Sequence, residues 1–188
     1  ERHIQFRKEL SLVMGQKSQL WWDIPALDSL ELIQHYYEIS NNEFKKRLNH
    51  LCNALDTQHL LHTPLRKMSL GERMKMELTA CLLHNPKLIF LDEPTIGLDI
   101  MSQQKIRQFL KDYHSYYKPT IIMSSHYMQD IESLCDHIIL ILNGKKVFDD
   151  RKVTFKKAFS DSKSLLLTYV NPLTSNEKPN ILSLVESV

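Results

Sequence analysis

Glycine is scarce in this chain. Its 188 residues hold four, Gly15, Gly71, Gly97 and Gly144. None opens the run Gly-x-x-x-x-Gly-Lys-[Ser/Thr], whose backbone cradles phosphates and whose lysine reaches them. Gly15-Gln16-Lys17-Ser18 comes nearest, with one residue inserted and no upstream glycine, and Gly144-Lys145-Lys146 fails at the hydroxyl. Cysteine is scarce as well. Cys52, Cys81 and Cys135 are odd in number, widely spaced and set in apolar surroundings, which fits reduced thiols and excludes a disulfide framework. Long hydrophobic runs are missing: the longest, Leu88–Leu91 and Ile138–Leu142, have strand length, far short of the roughly 20 residues of a spanning helix. No charge of one sign dominates, since the net charge is +2 with acids and bases interspersed. That balance gives no footprint for nucleic acid or an anionic membrane. The start, Glu1-Arg2-His3, lacks a leader pattern and an initiator Met, so the chain is expected to begin partway through a longer protein.

What is present is enough for one domain or slightly more, with 43% apolar residues for a core. Leu10–Met14 reads as a strand that delivers Gln16 into a loop, and Trp21-Trp22-Asp23-Ile24-Pro25 stops regular structure. From Leu27 to His84 the apolar rhythm is helical: Leu30, Ile33 and Tyr37 share one face, and Phe44, Leu48, Leu51 and Leu55 another. Ser40-Asn41-Asn42-Glu43 has capping-box spacing at a helix start. After Pro86 the rhythm changes. Leu88–Leu91 and Thr120–Met123 predict buried parallel strands, Ile100–Lys118 and Tyr127–Cys135 helices, and His137–Leu142 a third strand. Asn143-Gly144 predicts a hairpin turn into Lys146–Phe148. This alternation is α/β architecture. Beyond Ser160, Leu165–Val170 is one further strand candidate.

Two stretches carry chemistry. Asp92 and Glu93 close a wholly apolar strand, where paired carboxylates are costly unless a cation or hydrogen bonds meet them. An apolar strand ending in Asp is the Walker B pattern, in which the carboxylate helps hold Mg²⁺. The following Glu can take a proton from an attacking water. Standing alone, the pair could equally be a turn and helix cap. Ser69-Leu70-Gly71-Glu72 opens a helix whose apolar face includes Met74, Leu78, Cys81 and Leu82. Its plain reading is a capping box. The same geometry offers an anion free N–H groups at the positive end of a helix dipole, with Gly71 permitting close approach.

Taken together with Pro94-Thr95-Ile96-Gly97-Leu98-Asp99, these stretches closely resemble the ABC-type ATPases. In that family a signature motif usually written LSGGQ precedes Walker B and a D-loop at about this separation. Ser124-Ser125-His126, straight after an apolar strand, looks like the switch-histidine loop, and Gln16 looks like the Q-loop glutamine. The wording from Gly15 to Pro25 is similar to ATP-binding subunits of ABC-2-type exporters. The resemblance runs from about Leu10 to Asp150, with five motifs in register.

It implies an α/β, P-loop NTPase-like core sheet, incomplete at its N-terminus, with an inserted α-helical subdomain. The expected divisions are 1–26 for the end of the first core strand and the Q-loop, and 27–85 for the helical subdomain with the signature. Walker B, D-loop and switch histidine would occupy 86–150, and a C-terminal extension 151–188. ATP and Mg²⁺ are the implied cofactors. Asp92 is expected on the metal, Glu93 polarising water, His126 on the γ-phosphate, and Gln16 sensing metal and nucleophile. Ser69, Gly71 and Glu72 would face the ATP of a second ATPase subunit in a homodimer, with Asp99 linking the two sites. A transmembrane permease is expected against the loop Gln16–Trp22, placing the protein in the cytoplasm, peripheral on the inner face of the plasma membrane. No nucleic-acid partner is implied.

The chain departs from the family pattern at Leu70, where glycine is usual, and at Glu72, where glutamine is common. The missing P-loop and its strand are expected upstream of Glu1. Removing that strand should leave open apolar edges at Leu88–Leu91 and its neighbours, which invite pairing with another chain. His59, His62 and Cys52 lack the ligand number and order of a metal site. Trp21 and Trp22 are read as packing toward the permease rather than stacking bases, and the pairs Tyr36-Tyr37 and Tyr116-Tyr117 as anchors of helix faces. Two other readings compete. One is a truncated, non-catalytic interaction module. The other is a soluble ABC ATPase acting on ribosomes or DNA, which would carry long basic or coiled-coil insertions. These 188 residues alone are expected to bind ATP very poorly and not to hydrolyse it. Titration with a fluorescent ATP analogue checks this, and micromolar binding with turnover would refute it.

Overall fold

The computed structural model describes residues 2–15 and 18–159, which fall into two compact units, one running to Asp136 and one starting at His137. In the first unit, helix α1 (Arg2–Glu9) leads into strand β1 (Leu10–Met14). Helices α2 (Ala26–Tyr36) and α3 (Asn41–Leu55) follow, then two 3-10 turns (Gln58–Leu60 and Leu65–Lys67) and α4 (Leu70–Leu82). Strand β2 (Leu88–Asp92), α5 (Ile100–Tyr117), β3 (Thr120–Ser124) and α6 (Met128–Leu134) complete it. The second unit holds β4 (His137–Leu142), β5 (Lys145–Arg151) and α7 (Lys152–Phe159). Helix α1 has no counterpart in the sequence reading. The strand candidate Leu165–Val170 lies outside the described residues.

Helix ends follow local chemistry. Ser40 caps α3 by accepting from the Glu43 N–H, and Asp56 closes it in the left-handed conformation. Asp99 caps α5, and Lys118 ends it, again left-handed. These caps satisfy N–H groups that no intrahelical carbonyl can reach.

Strands β1, β2 and β3 form a parallel sheet in that order, with Met14, Asp92 and Ser124 in register at its carboxyl edge. Ser11, Val13, Ile89 and Leu91 point to the packed face and are buried. Helix α4 packs against β1, α2, α3 and α5, and from Met74 to Leu82 every residue is buried. A helix enclosed on all sides needs partners for its polar groups as well as an apolar stripe. The stripe Met74, Leu78, Cys81 and Leu82 is therefore only part of what α4 buries. Cys81 accepts a hydrogen bond from the Ser11 hydroxyl at 2.8 Å, and burial pushes its thiol up to about 12. All three cysteines are free: Cys52 and Cys81 are buried and Cys135 half-buried.

Two expectations need correction. Strand β2 is paired on both sides, so Leu88–Leu91 presents no open edge, while its neighbours β1 and β3 are the edge strands of the sheet among the described residues. One face of the sheet is open as well: the row Leu12, Phe90, Ile122 lies in register, with Leu12 40% and Ile122 52% exposed. Accordingly, β3 is not a buried strand, since none of its residues is fully enclosed. Strand β4 pairs antiparallel with β5 across the Asn143-Gly144 turn, the hairpin that the sequence predicts, as a separate two-stranded sheet, and Ile139 and Ile141 are exposed. An unbroken apolar run signals burial on two faces only where both faces have neighbours, which the run itself does not encode.

The open row predicts self-association at micromolar concentration, and the double substitution Leu12→Glu and Ile122→Glu should shift the chain toward monomer on size exclusion with light scattering. A monomeric parent would refute this. A second expectation concerns His84, stacked on Tyr37 with ring centroids 3.8 Å apart and with Nε2 donating to the Leu10 carbonyl at 3.2 Å. Burial lowers its pKa to about 4, so the unfolded chain binds the extra proton between about 6.5 and about 4. Stability is then full above the unfolded value and falls as pH drops through that window, by at most about 3 kcal/mol. Denaturant unfolding at pH 7 and pH 4.5 should show a smaller acid loss in His84→Gln than in the parent; equal losses would refute the assignment.

Candidate active site

The carboxyl edge of a parallel sheet is where loops can present side chains to a ligand. Here β1 ends at Met14, just before Gly15, β2 at Asp92 and β3 at Ser124, and these three ends are stitched together. Gly15 N–H donates to the Asp92 carbonyl at 2.9 Å. A Cβ on Gly15 would lie 2.6 Å from the Glu93 carbonyl oxygen, so only glycine allows β1 and β2 to finish this close. Gln16, the next residue, lies outside the described residues.

Ser124 does two jobs. Its hydroxyl donates to Asp92 Oδ1 at 2.5 Å, while its Oγ and carbonyl oxygen each accept from the Glu93 N–H at 3.1 Å. Glu93 has φ +50°, a left-handed conformation that costs a non-glycine residue about 1 kcal/mol and is kept only where neighbours hold it. The turn brings its side chain to the loop after β3, where Glu93 Oε2 meets His126 Nδ1 at 2.9 Å. A carboxylate oxygen can only accept, so Nδ1 carries the proton. Glu93 is partly buried and His126 more than half exposed. Asp92, Glu93 and His126 are thus brought together at one edge.

The remaining expected residues form a second group. Ser69 caps α4 in a complete capping box: its Oγ accepts from the Glu72 N–H at 3.3 Å, and its N–H donates to Glu72 Oε2 at 2.8 Å. The Ser69 hydroxyl also donates to Glu72 Oε2 at 2.8 Å. Donation from the Ser69 backbone and hydroxyl holds the Glu72 carboxyl below the usual range. The Glu72 charge is therefore folded back onto the cap. At α5, the Ser102 hydroxyl and N–H hold Asp99 low in the same way, the N–H at 2.9 Å. The two helix starts touch: a Cβ on Gly71 would sit 2.6 Å from Ser102 Oγ, and the Leu70 side chain lies against Gly97. So Ser69, Gly71, Glu72 and Asp99 lie around one contact between α4 and α5. Among the described residues, no hydrogen bond or ion pair joins this group to the Asp92–His126 group.

Sequence reasoning missed Asp130. Fully buried, it accepts from Arg107 Nη1 at 2.7 Å, from the Ser125 hydroxyl at 2.9 Å and from the Thr95 hydroxyl. Ser125 Oγ in turn accepts from the Tyr127 N–H at 3.1 Å. One carboxylate thereby fixes both loops that carry the first group, 93–99 and 124–127. The available signal was slight: an Asp in a short helix just after Ser-Ser-His, with its partners elsewhere in the chain.

Among the described residues, no three His, Cys, Asp or Glu side chains converge to hold a metal. The Asp92–Ser124 pair still fits Mg²⁺, which is held by one or two carboxylates together with phosphate oxygens and water rather than by a protein cage.

Comparison with known proteins bears on this arrangement. The family model described as ABC transporter matches residues 1–96. The chain is 28% identical over 144 residues to the ABC transporter ATP-binding protein NatA of Bacillus subtilis, covering 77% of this chain and 58% of that protein. It is 28% identical over 139 residues to the Nod factor export ATP-binding protein I of Cupriavidus metallidurans, covering 74% and 46%. It therefore spans about half the length of these curated relatives. Among solved structures, an ATP-binding subunit of an ABC transporter superposes with TM-score 0.72 at 21% identity, over 84% of this chain and 65% of that one. The cbiO1 protein of Clostridium perfringens, part of the transporter complex cbiONQ, gives 0.71 at 22%, over 84% and 62%. These structures share the fold, a P-loop NTPase-like α/β core. With the family model matching half of its length, this chain belongs to the ABC transporter family.

Proposed function

We propose that this chain is part of the ATP-binding, ATP-hydrolysing subunit of an ABC-2-type exporter. The observation that carries the reading is the pairing of Glu93 with His126 beside the Asp92–Ser124 pair, at the carboxyl edge of the sheet. Asp92 and Ser124 would hold Mg²⁺, which when bound neutralises charge on the phosphates of ATP. Glu93 is the general base, taking a proton from water on the carboxylate that His126 orients. With Nδ1 given to Glu93, Nε2 of His126 is the nitrogen left for a phosphate oxygen. Gln16 completes the set as a sensor of metal and nucleophile.

The second group has a different task. The first turn of α4 carries N–H groups of Leu70 and Gly71 that no helical carbonyl can satisfy, at the positive end of the dipole. That turn is the face offered to the ATP of a second subunit, and Ser69 and Gly71 meet its phosphate there. Glu72 rigidifies the turn through the capping box instead of touching the anion. Asp99, adjacent to Gly71 through Ser102, passes the state of one site to the other. These 188 residues hold no Gly-x-x-x-x-Gly-Lys-[Ser/Thr] run, so in this reading the phosphate-cradling loop is not theirs to supply.

Export is supported by the likeness to the Nod factor export protein, and a permease docked on the loop around Trp21 and Trp22 by their exposure, 61% and 48%. The reading places the protein on the inner face of the plasma membrane through that permease; no described helix is long and apolar enough to cross a membrane.

The test uses a polypeptide that joins a P-loop to these residues. Glu93→Gln should lower Mg²⁺-dependent ATP hydrolysis about 10²–10⁴-fold while ATP still binds, because only the proton transfer is removed. Phosphate release and equilibrium nucleotide binding measure the two. Turnover within two-fold or so of the parent would overturn the role of Glu93.

A further inference from the structure

Glu77 belongs to neither group, yet it is one of the few buried carboxylates among the described residues, 5% exposed on α4. Its partners all come from one loop some 57 residues earlier in sequence. The Ser18 hydroxyl donates to Oε1, and the Gln19 N–H donates to Oε1 at 3.1 Å and Oε2 at 3.0 Å. The Leu20 N–H adds a longer bond to Oε1 at 3.4 Å. Burial pushes the carboxyl up, and these donors pull it back. A buried carboxylate facing three donors from consecutive residues is a clasp rather than a surface charge.

The clasp holds a loop that leads directly to exposed aromatics. Trp21 N–H donates to Ser29 Oγ at 3.2 Å, and the Trp22 carbonyl accepts from the Arg66 N–H at 3.2 Å. Arg73, also on α4, lies 4.9 Å from the centre of the Trp22 ring. Helix α4 thus grips the loop twice, through Glu77 and through Arg73. Its own N-terminus carries Ser69 and Gly71, about 12 Å from Glu77 at the helical rise of ~1.5 Å per residue. One buried, stiff helix therefore joins the turn offered to a partner's nucleotide and the aromatic platform.

We propose that Glu77 is a positioning residue that fastens the Ser18–Trp22 loop to α4, so that displacement of the α4 N-terminus moves Trp21 and Trp22 against the permease. The docking half of this statement rests on the function proposed above; the clasp itself does not. Glu77 touches neither nucleotide nor water in this scheme.

Trp21 and Trp22 are the two tryptophans of the chain, so their fluorescence reads the loop directly. Glu77→Gln places an amide N–H₂ against N–H donors. It should redden the emission and raise acrylamide quenching about two-fold at 20 °C, well below any unfolding transition, because the loop then opens locally. A merely structural role would lower the melting temperature without changing quenching in the folded state. Ser18→Ala, at an exposed position, removes one donor without disturbing α4. It should give a smaller rise, and the double variant should not exceed Glu77→Gln, as expected for residues sharing one interaction. Unchanged quenching in folded Glu77→Gln overturns the clasp; if that variant does not fold, unchanged quenching in Ser18→Ala does so. In the complete subunit with its permease, Glu77→Gln should keep ATP hydrolysis within about two-fold and cut transport per ATP about five-fold or more. An equal loss of both overturns the coupling. A complete parent that hydrolyses no ATP overturns the reading of the site, and the quenching still decides the clasp.

Discussion

The buried carboxylate of Asp130 is the constraint on which the rest of the carboxyl edge depends. Taking a charge out of water costs several kcal/mol, and that cost is recovered only when every lone pair finds a donor in good geometry. Asp130 finds Arg107 on α5, Ser125 after β3 and Thr95 after β2. Each donor belongs to a different element, so the requirement to pair one charge fixes the relative placement of α5, α6 and two loops. Glu93 and His126 lie on those two loops, and the 2.9 Å between them is a consequence of that placement. Removing one partner would leave an uncompensated charge worth about 3–5 kcal/mol, which makes the arrangement all-or-none.

Helix α4 is the second organising element, and it works by enclosure. With nearly every side chain from Met74 onward buried, it has little freedom to bend or slide, and its polar residues must be paired where they stand. Thr79 returns its hydroxyl to the Lys75 carbonyl at 3.0 Å, and Glu77 gathers the Ser18–Leu20 loop. At its start the capping box, the close approach of Gly71 to Ser102 and the contact of Leu70 with Gly97 seat it against α5. The departures from the family pattern make sense in this setting. Leu70 is used for packing within the chain, and Glu72 for the cap.

Much of the first unit was legible in the sequence. Strand β1, the start of β2 and the run of β3 follow from apolar runs of strand length, and Ser40 and Ser69 announce their helices because a cap is a contact between residues three apart. Helix α1 was not legible, as its polar stretch has no stripe to betray it. The exposure of Ile122 was not legible either, because strand length is local while the number of covered faces is not. In the site, Asp92, Glu93 and His126 stand out through motif spacing. Ser124 was noticed only as a neighbour of His126, although it binds both Asp92 and Glu93.

The sequence by itself determined most of the elements, the caps at Ser40 and Ser69 and the identity of the acidic and histidine side chains, since all of these rest on interactions within a few residues. Only the tertiary structure decided that Asp130 would hold two loops together and that Glu77 would clasp a third. Their partners lie up to 35 and 59 residues away, and no local rule says which buried charge will meet which donor. The same holds for the sheet: alternation along a strand assigns side chains to two faces, but packing decides which face is covered. The four glycines show the division plainly. Their spacing and their neighbours exclude a phosphate-cradling Gly-x-x-x-x-Gly-Lys-[Ser/Thr] loop from these residues at sight. That Gly71 is required by Ser102, across the contact of two helices, is known only once the chain has folded.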